Sequence, residues 1–363
     1  MTMASSSTFT SRDGRRIELP AGVELELEHD PAPRPRSRRG PSAYDLAKIA
    51  FFLVGFPKNG FGSIDVTSRC NLRCRHCYYF ARPEDELPNE LSEDQWVARL
   101  EEIKRSLPAW EFPFFNCSWV GGDPLIRKSV IERCKPYFRY NTIVTNGTIP
   151  LPDWPDINWY VSIDGDAEMH EHIRDKDRNY RKNGRPGIYA RIKENVAANK
   201  HLGITIAYCI TRENVRCIEE VVRDWHEVGA RHITFDFFTP IDGLGDEMWL
   251  DYHERDAVID KLIALRRIYG DFFVIPERVF NLMRSDKCRD VTDNCLLFER
   301  SFALDASGRQ KGKCVMGEAA DCDRCGCVVP YYLRSLTDRP SILQDLGRDI
   351  ARASRDLFSV VNY

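Results

Sequence analysis

The chain has 363 residues, a net charge of −3, 43% hydrophobic and 29% charged residues, enough for one large α/β domain with a smaller appended module. That balance lacks the footprint of a general nucleic-acid binder, and no apolar run reaches the ~20 residues of a membrane span. The opening MTMASSSTFTSRDGRR has no apolar core of a signal peptide, so a cytoplasmic location is expected.

Residues 1–60 read as an N-terminal arm. It holds a short hairpin in RRIELPAGVELELE, a Pro/Arg-rich stretch from Pro31 to Pro41, and a lead-in helix over Tyr44–Val54. From Phe61 onward strands and helices alternate. GSIDVT is a strand. Ser92 and Gln95 have capping-box spacing, after which Trp96, Leu100 and Ile103 recur at helical intervals. NCSWVGG is a second strand, followed by a helix near Lys128–Tyr137. NTIVTNG, NWYVSIDG, ITIAYCIT and HITFDFF are four more, with helical patterns across Ile188–Leu202 and Glu213–Val228. Six strands interleaved with helices predict a parallel sheet of βα units over 61–285: a partial (β/α)6 TIM-like barrel, with a doubly wound sheet as the alternative. In a barrel, function collects at the C-terminal strand ends, where the polar motifs of this chain fall. Beyond about 285 helical periodicity fades. A small cysteine-rich module is expected at 286–330, and a C-terminal segment at 331–363.

Thirteen cysteines are the loudest feature. In a chain of this size with an odd count, metal or redox chemistry explains them better than a disulfide framework. Cys70, Cys74 and Cys77 have the spacing C-x3-C-x2-C on the loop after the first strand. Three thiolates there can hold three corners of a four-iron cluster and leave one iron open to a small molecule. Alone, the loop also reads as a zinc site with His76. The run Asp65-Val-Thr-Ser-Arg-Cys-Asn-Leu-Arg-Cys-Arg-His-Cys-Tyr78 resembles the radical S-adenosylmethionine (radical SAM) superfamily, and the resemblance continues through the sixth strand. It implies a [4Fe–4S] cluster with an open iron, on Cys70, Cys74 and Cys77. Gly121-Gly122-Asp123-Pro124 looks like the family's GGEP motif, which holds the methionine amino group, with Asp in place of the usual Glu. By the same resemblance Tyr78 lies near the adenine. Ser162 and Asp164 approach the nucleoside and methionine parts, Thr145 ends the third strand, Asn214 follows the fifth, and Arg174 can meet the carboxylate. Each of these also reads as turn or capping chemistry.

Cys295, Cys314, Cys322 and Cys325 form a second group. Cys295 and Cys314 flank an apparent hairpin turning at Ser307-Gly308, which returns its ends to one place, and Cys322-x2-Cys325 adds a pair on a tight turn. Four thiolates can close every iron of a second [4Fe–4S] cluster, or hold zinc. The layout resembles the twitch (SPASM-like) auxiliary-cluster domain that follows many radical SAM barrels. Cys327 is an alternate ligand and Cys288 a weaker candidate. The remaining Cys117, Cys134, Cys209 and Cys217 read as buried filler.

The resemblance implies an enzyme that reductively cleaves S-adenosylmethionine to a 5′-deoxyadenosyl radical, with an electron donor such as flavodoxin or ferredoxin. A fully ligated second cluster favours net oxidation, with rearrangement as the other outcome. The roughly 60 residues before the barrel leave little room for a peptide-recognition domain, so a small-molecule biosynthetic intermediate is the favoured substrate. The alternatives are a ribosomal-peptide maturase, adenosyl-radical addition to an unsaturated substrate, and a zinc- or cluster-bound scaffold that is no enzyme. Cys117 and Cys209 are candidate hydrogen-atom donors, with Tyr208 beside the latter. Asp236, on the polar face of the sixth strand, is a candidate substrate contact.

Overall fold

The computed structural model describes residues 8–10, 16–18, 61–80, 89–107, 114–175, 187–241, 246–312 and 314–337. Two short strands, β1 (Thr8–Thr10) and β2 (Arg16–Glu18), pair antiparallel. Arg16–Glu18 thus pairs with an upstream strand, and the second arm of the hairpin expected in RRIELPAGVELELE lies outside the described residues. The Pro/Arg-rich stretch and the lead-in helix lie outside the described residues.

The main sheet has seven strands among the described residues: β3 (Phe61–Thr67), β4 (Phe114–Gly121), β5 (Phe138–Thr145), β6 (Ile157–Ser162), β7 (Thr205–Ile210), β8 (His232–Phe237) and β9 (Phe302–Leu304). Their order is β8-β7-β6-β5-β4-β3-β9, every neighbouring pair is parallel, and β8 and β9 are the two edges. This is a partial TIM-like barrel. Parallel neighbours need crossover connections, mostly helical. Here α1 (Glu93–Ser106) joins β3 to β4 and α2 (Lys128–Cys134) joins β4 to β5. The pair α3 (Ala167–Arg174) and α4 (Ile188–Ala198) joins β6 to β7, and α5 (Ile218–Val228) joins β7 to β8. Helix α1 starts at the expected capping box: the Gln95 N–H donates to Ser92 Oγ at 3.3 Å and the Ser92 N–H to Gln95 Oε1 at 2.7 Å.

Six strands were legible in the sequence; the seventh comes from the cysteine-rich segment. After β8 the chain runs through α6 (Tyr252–Tyr269), α7 (Glu277–Leu282), α8 (Cys288–Asp293) and α9 (Leu296–Arg300) before entering β9. Strand β9 sets Phe302 opposite Gly62 and Leu304 opposite Ile64. A side chain at position 62 would collide with the Phe302 ring, so the glycine admits this strand. The expected turn forms, with Gly308 at φ +76°. The Lys311 N–H donates to Ala303 O at 2.7 Å, folding the return arm back on β9. The boundary expected at 330 falls inside α10 (Val328–Thr337).

Strand alternation sorts the side chains. Ile64, Trp119, Ile143, Trp159, Val161, Ile206 and Ile233 are buried in the apolar core. Their neighbours Ser63, Ser118, Thr142, Ser162, Ala207 and Asp236 line an interior cavity. Outside the sheet, Trp225 on α5 is fully buried and meets the Tyr189 ring of α4 edge-on at 5.6 Å. Among the described residues no helix is long and apolar enough to cross a membrane. Trp225→Ala, which opens a void between two crossover helices, is expected to destabilise the protein by about 3–5 kcal/mol, measured by denaturant unfolding; a cost under about 1 kcal/mol would show that α4 and α5 do not pack through this ring.

Candidate functional site

A cavity of about 370 Å³ lies inside the sheet, at the C-terminal strand ends. Cys70, Cys74 and Cys77 all line it. Their loop is propped from below: the Arg75 N–H donates to Ile173 O at 2.8 Å, and Arg73 bridges to Asp175, beyond the end of α3. Asn146, from the end of β5, donates to Asn71 Oδ1 at 2.9 Å and reaches Cys70 Sγ at 3.7 Å. Burial pushes all three thiols up. Thiols release their protons when a metal group binds them.

The Gly121-Gly122 pair lets β4 approach this loop. Gly121 has φ +119°, and a Cβ at Gly122 would lie 2.0 Å from Arg69 O. The Gly122 N–H donates to Thr67 O and the Asp123 N–H to Arg69 O, both at 2.8 Å. Both glycines line the cavity; Asp123 and Pro124 do not. The Asp123 carboxylate is buried and accepts from Leu125 N–H, Thr145 Oγ1 and Asn146 N–H at 2.8–3.0 Å. It ties β4 to β5 and leaves Thr145 and Asn146 at the cavity wall.

Asp164 is likewise behind the wall. Fully buried, it pairs with Arg174 Nε at 2.5 Å and His76 Nε2 at 3.0 Å, and accepts from the Cys209 N–H at 3.3 Å. Burial would raise this carboxyl, but Arg174 and His76 prevail and hold it well below the usual carboxylate range. Arg174 and His76, so anchored, both line the cavity. Asn214 is also fully buried and outside the lining. Its side chain accepts from Thr211 N–H and donates to Asp164 O and Cys209 O, so direct contact with a cofactor is not its role.

Of the other sequence candidates, Tyr78, Ser162, Cys209 and Asp236 line the cavity. Among the described residues nothing hydrogen-bonds the Ser162 hydroxyl. Asp236 accepts from the Val328 N–H at 2.7 Å, so part of its capacity holds the C-terminal segment. Cys117 is withdrawn as a hydrogen-atom donor: its neighbours Ser118 and Trp119 show the alternation, and Cys117 points outward, buried beside Cys134 of α2.

Cys295, Cys314, Cys322 and Cys325 are brought together closely enough that their charges act on one another. Burial pushes Cys325 up to about 12 and raises Cys295 and Cys314. Among the described residues no three His, Cys, Asp or Glu side chains are arranged around a single ion. Cys288 is buried in the core, with its thiol near Ser285 O at 3.7 Å. Cys327 turns the other way and lines the cavity. The turn that carries it is stitched to β8: the Phe237 N–H donates to Gly326 O at 2.9 Å and the Gly326 N–H to Thr239 Oγ1 at 2.8 Å. A Cβ at Gly326 would lie 2.1 Å from Phe237 O.

Sequence reasoning missed three positions. His76 was weighed only as a zinc ligand, yet it pairs with Asp164. Lys311, from the hairpin, pairs with buried Asp65 of β3, donates to Val315 O at 2.6 Å and stands 6.0 Å from the Tyr78 ring. Burial pushes the Asp65 carboxyl up to about 6 against the pull of Lys311. Arg255, on α6, reaches the turn between Cys322 and Cys325. Only the His76 position carried a sequence signal, by standing inside the cysteine motif.

Residues 64–225 match the model of the radical SAM superfamily. Mycofactocin maturase MftC of Mycobacterium tuberculosis is 28% identical over 228 residues, 58% of this chain and 54% of that protein. Pre-heme d1 synthase of Dinoroseobacter shibae is 30% identical over 171 residues, 44% of this chain and 38% of that protein. The chain thus spans about half or less of the length of these curated relatives. Among solved structures, Streptococcus suis SuiB bound to precursor peptide SuiA superposes with a TM-score of 0.55 at 12% identity, covering 82% of this chain and 69% of that one; this likeness is one of fold. By the matched segment, the cysteine loop it contains and the sheet beneath it, residues 64–225 of this chain form a radical SAM superfamily segment.

Proposed function

We propose that the protein holds a [4Fe–4S] cluster on Cys70, Cys74 and Cys77, binds S-adenosylmethionine beside it, and oxidises or rearranges a small-molecule biosynthetic intermediate. The observation that carries this reading is one cavity lined by those three thiols, by Ser162 and Arg174, and by an apolar wall of Val120, Val144, Phe237, Phe238 and Phe302. Bound together, the reduced cluster and S-adenosylmethionine supply a carbon-centred radical by one-electron cleavage of the sulfonium C5′–S bond. The chain's own residues bind and shield. The main chain at Gly121-Gly122 faces the amino group, Arg174 offers its guanidinium to the carboxylate, Ser162 its free hydroxyl to the nucleoside, and Tyr78 its ring to the adenine. Asp164 orients Arg174 and His76. The apolar wall excludes water from the substrate end.

The second group, Cys295, Cys314, Cys322 and Cys325, fits a fully ligated [4Fe–4S] cluster. Its turn also carries Cys327, which lines the cavity near Asp236; this supports electron removal from the substrate as its task. External electrons would come from a flavodoxin or ferredoxin. A relative named a maturase favours a second reading, a peptide substrate. Turnover assays separate the two: a small precursor, and not a precursor peptide, is expected to raise 5′-deoxyadenosine formation above the substrate-free rate and to pass deuterium into it. Deuterium transfer from a peptide alone would reverse the assignment.

Replacing Cys70, Cys74 and Cys77 together by Ala is expected to remove four irons and abolish 5′-deoxyadenosine formation in the reduced, reconstituted protein; cleavage surviving in that variant would overturn the site. Ser162→Ala should weaken S-adenosylmethionine binding roughly tenfold, the loss of one hydrogen bond to a charged or polar partner, with iron content unchanged; calorimetric titration giving the wild-type Kd would make Ser162 merely structural. Wild-type protein is expected to bind about eight irons, four per cysteine group, and Cys314→Ala with Cys322→Ala to bind about four while still cleaving the cofactor. Four irons in the wild type, with zinc or free thiols at the second group, would refute the auxiliary cluster.

A further inference from the structure

Helix α6 carries a charge that nothing in the described protein neutralises. Arg255 is 1% exposed. Its guanidinium donates only to main-chain carbonyls: Nε to Leu250 O at 3.0 Å, Nη1 to Cys325 O at 2.8 Å, and Nη2 to Arg324 O at 3.2 Å and Phe238 O at 3.4 Å. The rings of Phe237, Trp249 and Tyr252 surround it at 4.9–5.6 Å. Among the described residues no carboxylate pairs with it. The other buried cations near the cavity do have acids: Arg174 has Asp164, and Lys311 has Asp65.

Two features make this arrangement costly. A guanidinium keeps its proton in proteins, so it cannot escape burial by neutralising. Arg255 also stands in the first turn of α6, the end of a helix that favours anions. The acids of that turn are committed elsewhere: Asp251 caps the helix through the His253 and Glu254 N–H groups, and Glu254 pairs with Arg212. Carbonyl dipoles and aromatic faces offset part of the cost but bring no counter-charge.

The groups within electrostatic reach of Arg255 are the phenols of Tyr331 and Tyr252 and the thiols of Cys325 and Cys288, and of these only the thiols are of the kind that ligate an iron–sulfur cluster. Cys288 is spent on the core, while Cys325 belongs to the converging group of four. Loaded, four thiolates outweigh the charge of a [4Fe–4S] core and leave the assembly anionic, with Arg255 hydrogen-bonded to the backbone of one ligand. Arg255 therefore completes a neutralisation that the apo chain lacks.

We propose that Arg255 is the counter-charge of an anionic iron–sulfur cluster on Cys295, Cys314, Cys322 and Cys325, and that it raises that cluster's reduction potential; this rests on the second cluster of the proposed function. A cation beside the cluster favours the electron it receives. Arg255 acts through the ligand turn and touches no substrate, so it is a positioning residue, and its readout is a potential.

The test uses the full chain with Cys70, Cys74 and Cys77 replaced by Ala, so that only the second cluster is seen. Arg255→Gln and Arg255→Lys are made in that background, reconstituted anaerobically and titrated potentiometrically by electron paramagnetic resonance. Arg255→Gln is expected to disfavour reduction at least tenfold, a downward shift of about 59 mV for one electron, and Arg255→Lys to stay close to Arg255. Equal potentials in all three would overturn the proposal. If Arg255→Gln fails to hold iron, iron retained by Arg255→Lys supports the counter-charge, and iron lost equally from Arg255→Lys makes Arg255 a packing device and refutes it. No iron in the background carrying the native Arg255 would sink the second cluster itself, and the proposal with it.

Discussion

The ion pair between Asp164 and Arg174 is the contact on which the first site depends. It joins the residue just beyond β6 to the last residue of α3. Asp164 also takes His76 from the cysteine loop and the Cys209 N–H from β7, and its main-chain carbonyl is held by Asn214. Four elements therefore meet at one buried carboxylate. Removing one partner of such a pair leaves an uncompensated buried charge, which is far worse than never having had the pair. The same carboxylate aims Arg174 into the cavity, so the structural anchor and the placement of a ligand-facing cation are one feature.

A second constraint is steric. Two βα connections must converge on the cysteine loop: a Cβ at Gly121 would meet the main chain at the end of β3, and one at Gly122 the main chain of the loop itself. On the far side, Gly326 allows the Cys325–Cys327 turn to lie against β8 in the same way. Glycine is needed at each point because backbone approaches backbone there. The first cysteine loop follows β3 and the Cys325–Cys327 turn packs on β8, and of that turn Cys327 lines the same cavity as the first loop.

The cysteine-rich segment is accordingly no separate appendage. Its β9 extends the sheet beside β3, its Lys311 enters the mouth of the barrel to pair with Asp65, and its C-terminal turn rests on β8. The segment spans the gap between the two edge strands of an open sheet. A sheet edge left bare exposes unpaired N–H and C=O groups, and here the edges serve as docking sites instead. Charge in this region follows one rule. Asp65 with Lys311 and Asp164 with Arg174 are each closed by a partner within the chain, and Arg255 has no carboxylate partner among the described residues.

Local pattern was enough to read much of this protein. Strand alternation and helix periodicity located β3 to β8 and the crossover helices α1, α2, α4 and α5, though not α3, because each such element buries one face and its sequence must repeat with its own period. The C-x3-C-x2-C spacing and the GGDP segment marked the strand ends where the site lies, because their chemistry is carried by residues close in the chain. What neighbours in space decide was not legible. Gly121 and Gly122 line the cavity while Asp123, next in sequence, is turned to hold β5. Ser162 faces inward while Asp164 and Asn214 are consumed behind the wall. Cys209 and Cys117 look alike as strand cysteines, yet pleat direction puts one inside and one under a helix. The seventh strand and the Lys311–Asp65 pair join residues more than 200 positions apart, and Arg255 meets the turn carrying Cys325 across 70 positions. No local period encodes such contacts, and only the packed tertiary structure brings their partners together.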